Sequence, residues 1–171
     1  MALALSGKVG FTVQLTQTNA LDLTTPADPL NVTQNRVITS GTAADQSDLL
    51  WHDQQTLTNG GTVELVLNDG TLSNAFGTVT MDKLKGICIR NHSTDCTLII
   101  GGAAATVLGL FESTTDILTL QPGTTGKPAT FLMELPGAAG IDTTSNDTLK
   151  LEHGAGSTNS VVFDIMVWGE D

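Results

Sequence analysis

His52 and Asp53 are the first residues of this chain whose types suggest chemistry. An imidazole beside a carboxylate can supply a general base or a metal ligand. The segment around them alternates like a strand, however, and adjacent strand residues point to opposite faces. The pair therefore cannot act on one substrate together. His92 and His153 fall in or beside separate turns, and no His-x-His or His-x-x-x-His spacing occurs. Acyl-transfer chemistry of the hydrolase type would need a nucleophile on a strained turn, and Gly-x-Ser-x-Gly is absent. Gly101-Gly102-Ala103-Ala104-Ala105 is glycine-rich but lacks both the dinucleotide fingerprint and the Walker lysine, so it reads as an inter-strand loop. Asp69, Asp116, Asp142 and Asp147 sit in turns without EF-hand order. These observations predict no catalytic residue, no metal and no cofactor. Trp51 and Trp168 read as core or interface anchors rather than ligand platforms.

The elements that position these residues are strands. Trp51 to Thr58 and Thr62 to Leu67 are separated by Asn59-Gly60-Gly61, whose residues tolerate the positive φ of a tight reversal. Leu84 to Asn91 and Thr97 to Ile100 read as two further strands joined by His92-Ser93-Thr94-Asp95. Val107–Glu112, Ile117–Leu120, Ala129–Leu135 and Leu149–Leu151 follow, separated by Pro- and Gly-containing turns. Val161 to Trp168 is apolar on both faces apart from Asp164, which predicts a central strand covered on both sides. Upstream, Val9, Phe11, Val13 and Leu15 alternate with Thr12, Gln14 and Thr16, a half-buried strand. Residues 19–35, with Pro26 and Pro29, read as a loop or extended arm. Nine to eleven strands at spacings of about 8–12 residues predict an all-β, antiparallel, jelly-roll-like β-sandwich with a partly extended N-terminal region. Residues 1–48 form the N-terminal strand and arm, and residues 49–171 the core.

Composition narrows the partners. The net charge is −11, and only Lys83, Lys85 and Arg90 cluster among the basic residues, which excludes a phosphate-backbone partner. Aromatic residues make up 4% and Tyr is absent, which disfavours base stacking and a carbohydrate-binding platform. No apolar run approaches the roughly 18 residues of a membrane span, and no secretion signal is recognised. Cys88 and Cys96 are too few for a disulfide scaffold and are expected as free thiols in a reducing cytoplasm.

The succession Leu50-Trp51-His52-Asp53-Gln54, Ala75-Phe76-Gly77, Lys83-x-Lys85-Gly86-Ile87 with Asn91, Leu98-x-Ile100-Gly101-Gly102, Leu120-x-Pro122-Gly123 and Phe163-Asp164-Ile165-x-Val167 resembles small virion proteins of tailed bacteriophages and prophages. The resemblance covers residues 49–169 and leaves residues 1–48 outside, the Thr-rich stretch at 19–48 being the departure from the pattern. It implies a structural component of the virion, made in the host cytoplasm and commonly oligomeric, with a capsid decoration (cement) protein as the leading expectation. A tail, adaptor or fibre-base protein, or a receptor- or carbohydrate-binding module, is the alternative. The implied partners are further copies of the chain, a trimer by analogy, and the major capsid protein or another virion protein. The residues expected at an interface are Leu21, Leu23, Leu30 and Val32 of the arm together with Trp51 and Trp168. Circular dichroism should show mainly β structure; a helix content above about a quarter would contradict the strand reading.

Overall fold

A computed structural model describes residues 4–20, 24–107, 110–154 and 158–171. The described residues are all-β, with thirteen strands and no helix. In chain order these are β1 (Gly7–Thr18), β2 (Ala27–Ile38), β3 (Leu49–Leu57), β4 (Thr62–Val66), β5 (Leu72–Asn74), β6 (Gly77–Val79) and β7 (Lys83–Asn91). They continue with β8 (Leu98–Gly101), β9 (Ile117–Leu120), β10 (Ala129–Glu134), β11 (Ile141–Asp142), β12 (Thr148–His153) and β13 (Val161–Glu170).

Two antiparallel sheets form the body. One runs β10-β7-β13-β3, with β11 added to β7, and the other runs β4-β12-β8-β9. The pairings are nested: β8 with β9, β7 with β10, β4 with β12 and β3 with β13. The side chains between the sheets make one apolar core, in which Ile87, Ile89, Leu98, Ile100, Leu151 and Ile165 are fully buried. Two-residue alternation explains which residues go in. On β13, Val161, Phe163, Ile165 and Val167 are all at 0% exposure, while Val162, Asp164 and Met166 between them are half-buried. The strand is central, as its composition predicts, but its outer face is only partly covered.

Asn59-Gly60-Gly61 does not close a hairpin. Gly60 has φ +72°, as the sequence suggests, but the turn carries the chain from β3 in one sheet to β4 in the other. The polar link at residues 92–97 likewise passes from β7 to β8 in the opposite sheet. Fully buried Asn91 holds that link. Its Nδ2 donates to Cys96 O at 2.9 Å and to Gln121 O at 3.2 Å, and its Oδ1 accepts from Ser93 N at 3.0 Å. The strand expected over 107–112 is replaced, in its described part, by a turn in which Leu110 N and Phe111 N both donate to Val107 O.

The last strand ends on a bulge. Trp168 lies opposite Gly86 and Gly169 opposite Leu84, so Lys85 is the extra residue of β7. Its side chain turns inward. Lys85 Nζ sits 2.6 Å from Glu170 Oε1, with both side chains 2% exposed, and donates to the carbonyls of Gly137 and Ala138 at 3.0 and 2.8 Å. Lys83 Nζ reaches the other Glu170 oxygen at 3.2 Å. Gly86 is needed here because a Cβ would stand 2.1 Å from the Trp168 ring. Removing Lys85 leaves the buried Glu170 carboxylate with only the half-exposed Lys83 as counter-charge, and breaking a buried, hydrogen-bonded pair costs about 3 kcal/mol. Lys85→Met should lower the melting temperature by roughly 6–12 °C, at about 2–4 °C per kcal/mol for a chain of this size. Lys85→Met/Glu170→Met should recover part of that loss. A melting temperature unchanged in the single variant would contradict the pair's role.

Candidate assembly surface

β1 and β2 form a two-stranded ribbon separate from both body sheets. Twelve residue pairs run from Gly7↔Ile38 to Thr18↔Ala27 without a register shift. The loop or arm expected over residues 19–35 is thus largely a strand, and Pro29 is accommodated because β2 has an unpaired outer edge. What the composition of this stretch concealed is that its alternation matches β1 in antiparallel register.

Directly paired residues of an antiparallel ladder share a face. One face of the ribbon therefore carries Phe11 opposite Gln34, Val13 opposite Val32 and Leu15 opposite Leu30. The other carries Thr12 opposite Thr33 and Gln14 opposite Asn31, both pairs joined through their side chains. The ribbon is amphipathic, yet none of the described residues covers its apolar face. Leu15 is 63% exposed, Leu30 50%, Phe11 44% and Val32 43%. The expected half-buried strand at residues 8–18 is instead exposed along almost its whole length.

The base of the ribbon is fixed to the body. Arg36 Nε lies 3.5 Å from Asp45 Oδ1, Asp45 N donates to Pro136 O at 3.0 Å, and Ser47 N donates to Thr39 O at 3.0 Å. There the ribbon meets the outer face of the β3–β13–β7 sheet and encloses a cleft of about 500 Å³. Leu5, Val9 and Ile38 line one wall, and Leu50, Met166 and Trp168 the other. A second hollow continues past Leu5 and Leu50 to Phe76, which is 75% exposed. The apolar face of the ribbon is therefore continuous with the cleft through Val9 and Ile38.

A polar cluster borders the cleft. Asp164 Oδ2 lies 2.6 Å from His92 Nε2 and 3.5 Å from Arg90 Nη1, and Asp164 Oδ1 accepts from Gln54 Nε2 at 2.8 Å. Partial burial raises the Asp164 carboxyl, but the hydrogen bonds from His92 and Gln54 and the nearby positive charge outweigh it and hold the carboxyl below its ordinary range. His52 stands on the same outer face, opposite Met166; Asp53, opposite Ile165, is exposed and also borders the cleft, but its carboxylate accepts from Gln54 N and Gln55 Nε2 and is not bonded to His52. Among the described residues no group of three or more His, Cys, Asp or Glu is placed to hold a metal ion. No helix of the described residues is long and apolar enough to cross a membrane.

Of the interface residues expected from the sequence, Leu30 and Val32 stand exposed on the ribbon. Leu21 and Leu23 lie outside the described residues. Trp51 is a core residue, 5% exposed, whose indole donates to Ser73 O at 3.1 Å. Trp168 is equally buried but lines the cleft. Alternation predicts a half-buried strand with Phe11, Val13 and Leu15 on its covered face, and these three are exposed, because the sequence shows a strand's apolar face but not what lies against it. Cys88 is a free thiol on the outer face, where partial burial raises its pKa, and Cys96 is in the core, its Sγ donating to Asp95 Oδ1 at 3.3 Å. No known protein family, curated protein or solved structure matches the chain.

A carboxyl whose pKa is lowered by folding stabilises the protein above its ordinary pKa of about 3.9, and that contribution is lost as pH falls through the lowered value. The melting-temperature difference between wild type and Asp164→Asn should therefore be present at neutral pH and shrink below about pH 4. A difference that is constant down to pH 2 would show that Asp164 contributes through packing alone.

Proposed function

We propose that this chain is a structural subunit that works by assembly rather than catalysis, and that its assembly is a tailed-bacteriophage particle in which it decorates and stabilises the head shell. The observation that carries the assembly reading is the apolar face of the β1–β2 ribbon, held out into solvent on a fixed base. Contiguous exposed apolar surface on a folded protein marks an interaction site. An isolated two-stranded ribbon is at best marginally stable in water, so its length is better explained by a surface it lies against.

We further infer that the body is a β-sandwich of jelly-roll type. Four nested antiparallel pairs describe a long two-stranded ribbon, and rolling it up brings β13 beside β7 and β12 beside β8. That arrangement gives two four-stranded sheets in the orders seen here, and the jelly roll is an architecture used by viral capsid proteins. The placement in a bacteriophage head rests on the motif resemblance. The acidic body suits it, since negative charge limits adhesion to packaged nucleic acid.

Cryo-electron microscopy of the particles that carry this chain tests the reading. Density fitting the body on the outer surface of the head is expected, and purified protein should bind expanded, undecorated shells and raise their disruption temperature. Density confined to the tail, or no binding to shells, would overturn it.

A further inference from the structure

We propose that the β1–β2 ribbon docks on a second copy of this chain, lying apolar face down in the partner's cleft against Leu50, Met166 and Trp168, with the exchange reciprocal about a two-fold axis. The proposal deepens the assembly reading and does not depend on the particle.

Three observations select the occupant. The first is charge. Residues 7–38 contain two basic residues, Lys8 and Arg36, and two acidic ones, Asp22 and Asp28, so the segment is neutral in a chain of net charge −11. Two acidic bodies repel each other. A neutral ribbon can lie on a second acidic body without that penalty, and it brings no cluster of basic groups to seek an acidic partner of another kind.

The second is continuity. Each copy holds both halves of the contact side by side, because Val9 and Ile38 carry the ribbon's apolar face into the wall of its own cleft. In the proposed dimer the two-fold axis lies near the base, and each ribbon runs past its own cleft and over the partner's. The outer face of β13, half-buried at Val162 and Met166, is thereby covered. The composition of that strand calls for such cover.

The third is area. A ribbon of twelve residues per strand is about 40 Å long, at about 3.4 Å per residue, and about 10 Å across two strands, so one face presents roughly 400 Å². Two ribbons packed face to face would bury only roughly 800 Å² in total, below the about 1,200–2,000 Å² of a stable interface. A cyclic ring in which each ribbon is passed to the next copy buries no more than that at each contact. Reciprocal exchange buries two ribbons and two receiving faces, roughly 1,600 Å², which is the standard size.

Light scattering on the purified full chain should give twice the 17.8 kDa chain mass. Phe11→Thr/Leu15→Thr/Leu30→Thr should give the single-chain mass with an unchanged near-ultraviolet spectrum of the body. Gln14→Ser/Asn31→Ser, on the polar face, should remain dimeric. In a Cys88→Ser background, copies carrying Leu15→Cys mixed with copies carrying Leu50→Cys should form the intermolecular disulfide on oxidation. Four results would each overturn the proposal: a wild-type monomer, a dimer that survives the triple substitution, a three-fold mass, or Leu15→Cys copies that cross-link only to each other. A wild-type monomer that still coats head shells would overturn ribbon exchange and leave the decoration role standing, whereas a dimer that ignores shells would do the reverse.

Discussion

The body depends on one row of side chains. Val161, Phe163, Ile165 and Val167 project from the central strand of one sheet into the space between two sheets, and none of them touches water. Burial of each such side chain contributes about 1.5–3 kcal/mol. Strand register follows from this row, because a shift of one residue would exchange it for Val162, Asp164 and Met166. Asp164 would then enter an apolar interior without His92, Arg90 or Gln54 to pair with it. The same alternation that drives one face inward thus leaves a mixed, half-covered outer face, and the cleft at the ribbon base is formed on that face.

The end of the central strand is specified by polar contacts instead. The bulge at Lys85 lets β7 carry a cation into the interior, and Glu170 meets it from the last residue of β13. Buried ion pairs rarely add net stability over apolar side chains of similar volume, but a mispaired one is costly. The pair therefore penalises any alignment in which Lys85 and Glu170 do not meet. Trp168 packed on Gly86 adds a steric condition at the neighbouring position. Together they fix where β7 begins and β13 ends, close to the hydrogen bond from Asp48 N to Gly169 O that ties in the chain arriving from the ribbon.

Much of the body was legible in the sequence because alternation and turn chemistry are local. Val161–Trp168, Ala129–Leu135 and Leu149–Leu151 read as strands and are strands. The partners were not legible. Asn59-Gly60-Gly61 has the residues of a hairpin turn, but a positive φ at Gly60 serves a crossing between sheets equally well. Residues 27–35 were hidden by Pro29 and by Asp28, Asn31 and Asn35, residue types that depress strand propensity; their partner across the ladder outweighs that local preference. Exposure was the least legible property. Leu15 and Ile165 each lie on the apolar face of a strand, yet one is 63% exposed and the other wholly buried, because burial is decided by distant parts of the chain.

The nesting of the strand pairs also sets an order in time. The innermost pair joins Leu98 to Leu120, whereas the outermost joins Leu57 to Val161. Closing a longer loop costs more entropy, so short-range pairs form ahead of long-range ones, and topologies rich in distant pairings fold slowly. The body can close only once β13 is available to pair with β3 and β7. The β1–β2 ribbon is local and is made first, so its apolar face is presented while the body is still open. During synthesis that face is a sticky edge on an unfinished chain, the circumstance in which aggregation competes with folding. The Thr and Asn side chains along its reverse face keep one side of the newborn ribbon wetted until the last strand arrives.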